Sequence, residues 1–148
     1  MNKKILILSL IFLLINSACS YCADTAGLER EALALRVELN RLGNNGDPFE
    51  REKILQKIID TCKGTEEAVR AYWDLADLYL DGFPEEMRQE ACEMLELCLK
   101  NYPDSPSASM IKCRLVDLYD AKDERRDELI EQLKDDKTLP NILRTSIK

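Results

Sequence analysis

Apolar residues between Asp24 and Leu133 recur three and four positions apart, the period of helices with one face turned inward. Leu28, Leu35, Leu39 and Leu42, with Ala32 beside them, predict a first helix over 24–42. Gly43 follows it, where the backbone leaving a helix turns left-handed. After Asn44-Asn45-Gly46, the run Asp47-Pro48-Phe49-Glu50 restarts the chain. It offers a capping carboxylate, a proline whose missing N–H costs nothing at the first helical position, and a glutamate three after the cap. The second helix reaches about Cys62 and turns Ile54, Leu55, Ile58 and Ile59 inward. Thr65-Glu66-Glu67 opens a third over 66–80, with Trp73, Leu75, Ala76, Leu78, Tyr79 and Leu80. A fourth over 85–101 carries Ala91, Met94, Leu95, Cys98 and Leu99 and ends at Tyr102-Pro103. The fifth follows Asp104-Ser105-Pro106 with Met110, Leu115, Leu118 and Tyr119, and the sixth, over 123–133, is short and highly charged. Every Gly and Pro beyond residue 28 falls at one of these boundaries except Pro140, in the tail.

The helices repeat. Leu75-Ala76-Asp77-Leu78-Tyr79 returns 40 positions later as Leu115-Val116-Asp117-Leu118-Tyr119, and 40 positions earlier lie Leu35 and Leu39. Ile54-Leu55 and Ile58-Ile59 fall in the same way on Met94-Leu95 and Cys98-Leu99. An ordinary bundle needs no such register. A helix pair that cannot bury both its faces alone, copied three times, does. The expected fold is therefore all-α, a stack of about three antiparallel helix pairs.

Composition narrows the function. Hydrophobic residues make up 45%, aromatics only 6%, and there are 5 Gly and 5 Pro, which suits helices better than a sandwich or barrel. The net charge of −7, with no basic run longer than the pairs Lys3-Lys4 and Arg125-Arg126, disfavours nucleic acid. Histidine is absent, which removes the usual general base and the commonest metal ligand. The carboxylate pairs Glu66-Glu67, Glu85-Glu86 and Asp123-Glu124 sit in first turns, where acids complement the helix dipole. The chain has no glycine-rich phosphate loop and no nucleophile-elbow serine. The reading is of a non-enzyme with no cofactor and no metal.

The amino terminus supplies an address. MNKKILILSLIFLLINSACS combines a positive start, an apolar run from Ile5 to Ile15 and small residues, the layout of a secretory signal over 1–20. The run is short for a membrane span. Cleavage before Tyr21 would remove two lysines and no acid, taking the charge from −7 to −9. Ser17-Ala18-Cys19 also resembles the end of a lipoprotein box, with Cys19 the acylated residue; Asn16 stands where that pattern has an aliphatic one. The expected organisation is a signal (1–20), a linker (21–27), the helical repeat domain (28–136) and a tail (137–148) that caps the last unit or docks on a partner. The protein is expected to be exported, either free in the periplasm or tethered to the outer membrane through Cys19. In an oxidising compartment Cys98 with Cys113 is the preferred bridge and Cys62 with Cys92 the other, reduced thiols being the alternative.

Leu75, Ala76, Tyr79, Ala91, Leu95, Cys98 and Pro103 resemble the signature positions of a tetratricopeptide repeat, most closely over 71–119. The closing Tyr102-Pro103-Asp104-Ser105-Pro106 is similar to the variant in exported bacterial proteins, among them the periplasmic coordinator of the Tol–Pal system and the helical lipoprotein of the outer-membrane assembly machine. Arg51, Lys112 and Glu128 depart from the pattern, so the outer units are expected to be less regular. The resemblance implies a right-handed α-solenoid whose inner helices line a concave groove. Arg70, Trp73, Asp77, Leu80 and Asp81 would face it from the third helix, and Met110, Cys113, Asp117 and Asp120 from the fifth. Asp77 and Asp117 on one face favour a partner that is basic or offers backbone N–H groups. The function this implies is an adaptor of the bacterial envelope that holds a peptide or an envelope protein. The alternative is a structural subunit that uses its outer surface and tail.

Overall fold

The computed structural model describes residues 27–28, 30–43, 45–83, 87–136 and 139, and all regular structure among them is helical. Helix α1 covers residues 30–42, with 27–28 also helical. It is followed by α2 (Pro48–Thr61), α3 (Glu66–Asp81), α4 (Arg88–Asn101), α5 (Ala108–Leu118) and α6 (Glu124–Lys134). The predicted signal and Cys19 lie outside the described residues. No helix among the described residues is long and apolar enough to cross a membrane.

Local chemistry sets the boundaries. The Asp47 carboxylate caps α2 by accepting from Phe49 N at 3.1 Å, with Pro48 in the first turn. Thr65 caps α3 by accepting from Ala68 N at 3.4 Å, and Asp123 caps α6 through Arg125 N at 3.0 Å. Gly43 and Gly64 have φ of +63° and +82°, the left-handed turn that takes the chain out of α1 and α2. Helix α4 begins at Arg88, later than the expected Glu85, after Met87 N donates to Tyr79 O at 3.1 Å.

Consecutive helices run antiparallel, as contacts at their ends show. The Tyr79 hydroxyl near the end of α3 donates to Glu52 near the start of α2 at 2.7 Å. Asn101, closing α4, donates to the Tyr72 hydroxyl of α3 at 3.1 Å. Arg88, opening α4, reaches Leu118 O at the end of α5 at 2.7 Å, and Ser109 of α5 meets Asp136 just beyond α6. Cys62, closing α2, donates its thiol to Leu28 O just before α1 at 3.9 Å, so that α1, α3 and α5 point the same way. Helix α3 is central: eight of its residues are buried, from Ala68 to Tyr79.

The 40-residue register survives in the core. Leu35, Leu75 and Leu115 are buried, as are Leu39, Tyr79 and Tyr119, and Leu55 with Leu95 is fully enclosed. The third copy slips. Pro48 and Arg88 start α2 and α4 40 positions apart, but α6 starts at Glu124, only 36 after Arg88. Correspondingly the core is divided. One cluster spans α1 to α5, and a second joins Val116 of α5, Ile130 and Leu133 of α6, and Leu139 of the tail.

The expected disulfides do not form: Cys62, Cys92, Cys98 and Cys113 are all free thiols. Cys98 is enclosed in the first cluster whereas Cys113 packs against the second, so their side chains diverge. Gly64, just past Cys62, donates to the Tyr102 hydroxyl beyond the end of α4. Cys92 lies ten residues before Tyr102 on that helix, roughly 15 Å away at the helical rise. A bridge requires Cα atoms within about 7 Å.

Candidate functional site

Helices α1 and α3 lie side by side with two open troughs between them. The first, of about 750 Å³, is lined by Ala32, Leu33, Glu67, Arg70 and Trp73 among others. The second, of about 800 Å³, is lined by Asn40, Gly43, Asp77 and Asp81 among others. Arg36 and Asp74 border both. The first is largely apolar and the second largely polar, with Asp74, Asp77 and Asp81 set against Arg36 and Arg51, and they follow one another along the same pair of helices.

Arg36 holds the waist. Its guanidinium donates to the Glu67 and Asp74 carboxylates, and α1 is joined to α3 through it. Burial works against its charge, yet hydrogen bonding to the two acids outweighs that and raises its pKa above the ordinary value. Arg70 lies over Glu67 at 3.7 Å but is well exposed, so that pair contributes little. From α5, Arg114 donates to the Asp77 carboxylate at 3.2 Å. Asp81 has no ion pair among the described residues and closes α3, a helix with no basic residue in its last turn.

The predicted residues divide into four groups. Arg70 and Trp73 line the first trough, and Asp77 and Asp81 the second. Leu80 packs against the main core instead of the troughs. Met110 (55% exposed), Asp117 and Asp120 are exposed on or just beyond α5 and line neither trough. Cys113 is half-buried against the second cluster. The surface is therefore centred on α1 and α3, where the α3–α5 seam had equal weight in the expectation.

Sequence reasoning passed over the α1 side. Leu33, 66% exposed, and Val37, 46% exposed, are two of the five exposed large apolar residues among the described residues. The register held the signal, since Leu33 and Val37 stand 40 before Trp73 and Asp77. Arg36 had no such signal, because its partners lie 31 and 38 residues away.

Among the described residues no group of three or more His, Cys, Asp or Glu is placed to hold a metal ion. Comparison of the chain with protein-family models, curated proteins and solved structures returned no match.

Proposed function

We propose that this protein is a non-enzymatic adaptor of the bacterial cell envelope that holds a peptide segment or an envelope partner against α1 and α3. In this reading the six helices are three tetratricopeptide-like pairs stacked as a right-handed solenoid. The troughs lie on its concave face, and the amino-terminal signal exports the chain to the periplasm, with Cys19 a candidate lipid anchor. The observation that carries the reading is the apolar trough in which Leu33 and Trp73 stand at repeat-equivalent positions with Leu33 largely exposed. A large aromatic beside exposed aliphatic surface is the usual anchor of a protein contact. Affinity purification from the native envelope tests it, with Trp73→Ala and Asp77→Lys as controls and the amino terminus mapped in the same sample. Partners recovered equally well by both variants would refute the groove.

A second reading is supported by the opposite helices. Phe49 on α2 is 66% exposed and Leu97 on α4 38% exposed, so outer apolar surface is available to a structural subunit of a larger complex. Sedimentation of the purified protein separates the two: a subunit self-associates or co-purifies in fixed ratio, whereas an adaptor stays monomeric until its peptide is added.

A further inference from the structure

We infer that the segment held between α1 and α3 is an extended, basic one, with a large apolar side chain beside Trp73 and a Lys or Arg two to four residues further on. This rests on the adaptor reading and names its ligand. Conformation follows from width. A helix is about 10–12 Å across and cannot descend between two helices close enough for Arg36 to hold both Glu67 and Asp74. An extended chain is narrower and can follow the troughs along α3.

Composition follows from what each trough presents. The first offers Leu33, Ala32 and Trp73, with the Arg36 charge already taken up by two carboxylates. The second offers Asp77 and Asp81 at the carbonyl end of α3, and its three aspartates outnumber by one the two arginines, Arg36 and Arg51, in the same lining. The partial negative charge of that helix end adds to theirs. Asp74 and Asp77 are engaged by Arg36 and Arg114, but Asp81 is exposed and has no ion pair among the described residues.

Spacing follows from the helical rise. Asp77 and Asp81 stand ~6 and ~12 Å beyond Trp73 along the axis. Extended backbone advances about 3.3 Å per residue, so these distances correspond to about two and four residues. An occupant with its apolar anchor in the first trough therefore brings its cation to Asp77 or Asp81.

The test uses the full chain and three fluorescein-labelled peptides in a Gly-Ser background. One carries Leu with Lys four positions on, one has that Leu replaced by Ser, and one has Lys replaced by Glu. Binding is read by anisotropy and by quenching of Trp73, the one tryptophan. The expected result is binding of the Leu–Lys peptide, about tenfold loss without Leu, and at least about threefold loss with Glu. That charge preference should fade near 0.5 M salt, where exposed charges are screened. Asp81→Lys, with its helicity checked by circular dichroism, should reverse the Lys-over-Glu preference. Peptides that bind without charge preference, or whose preference survives Asp81→Lys, overturn the inference and leave the adaptor reading standing. An envelope partner recovered through Trp73 while all three peptides fail overturns the inference alone. Failure of both the peptides and the envelope purification overturns the two together.

Discussion

Tyr79 of α3 donates its hydroxyl to the Glu52 carboxylate of α2 at 2.7 Å, tying the two helices together. Tyr119, 40 residues further on, does the same to Glu96 of α4, while Arg125 lies 4.5 Å over its ring and 2.8 Å from that carboxylate. The same side chain thus recurs at both seams, though the acid it meets sits at a different place on its helix.

These phenols give the protein an alkaline limit. Burial first, and then the adjacent carboxylate, pushes the pKa of Tyr79 and Tyr119 well above that of a free tyrosine. Burial also pushes the Cys98 thiol up to about 11. Groups whose pKa is raised by folding contribute stability that is complete below their unfolded pKa and lost as pH climbs through the folded one. Stability should therefore hold to about pH 9, the ordinary thiol range, and then decline, first through Cys98 and above about pH 10 through the tyrosines. Urea midpoints at pH 7, 9 and 10.5 check this, and a double Tyr79→Phe, Tyr119→Phe variant should show a shallower decline above pH 10. At pH 7 the Tyr79→Phe change alone should cost about 1–2 kcal/mol, because Glu52 loses a donor.

The thiols should differ in reactivity. Cys98 is fully enclosed and its thiolate disfavoured, whereas Cys113 is half-buried on α5. With a thiol reagent at pH 8, Cys113 should label first and Cys98 only on unfolding, as mass mapping of the peptides would show. Simultaneous labelling of the two in the native protein would contradict this placement.

Arg36→Ala should loosen α1 selectively. It removes the shared partner of Glu67 and Asp74 and should cost about 1–2 kcal/mol, given that both acids keep access to water. Hydrogen exchange should speed up in 30–42 while α3 and α4 stay protected. Uniform loss of protection would mean that α1 unfolds only with the whole.

Leu133→Ala tests the divided core. Leu133 is fully enclosed, but in the small second cluster with Val116, Ile130 and Leu139. Truncation should open α6 and the back of α5 well before the rest, whereas Leu75→Ala, in the main cluster, should cost about 2–5 kcal/mol globally. Two transitions in exchange for the first variant and one for the second is the expected pattern.

Much of the helical layout was legible because its signals are local. Thr65 capping α3, Asp47-Pro48 opening α2, and the glycines at +63° and +82° each act within a few residues. The 40-residue register likewise foretold the buried set Leu35, Leu75 and Leu115. Four of the nine residues expected at the binding face, Arg70, Trp73, Asp77 and Asp81, do line the troughs. Leu80 does not, because a residue near the edge of an apolar stripe is committed to core or surface only by its neighbours.

The sequence by itself determined the all-helical class, the ends of most helices and the apolar positions that face inward, since periodicity and capping are properties of a few consecutive residues. The tertiary structure decided that α6 leaves the register to build a second core with Leu139, and that Cys98 and Cys113 face different cores. It also decided that Arg36 binds carboxylates 31 and 38 residues away, so that α1 completes the troughs. Those outcomes depend on which helix faces arrive beside one another, and that is fixed by packing the whole chain at once.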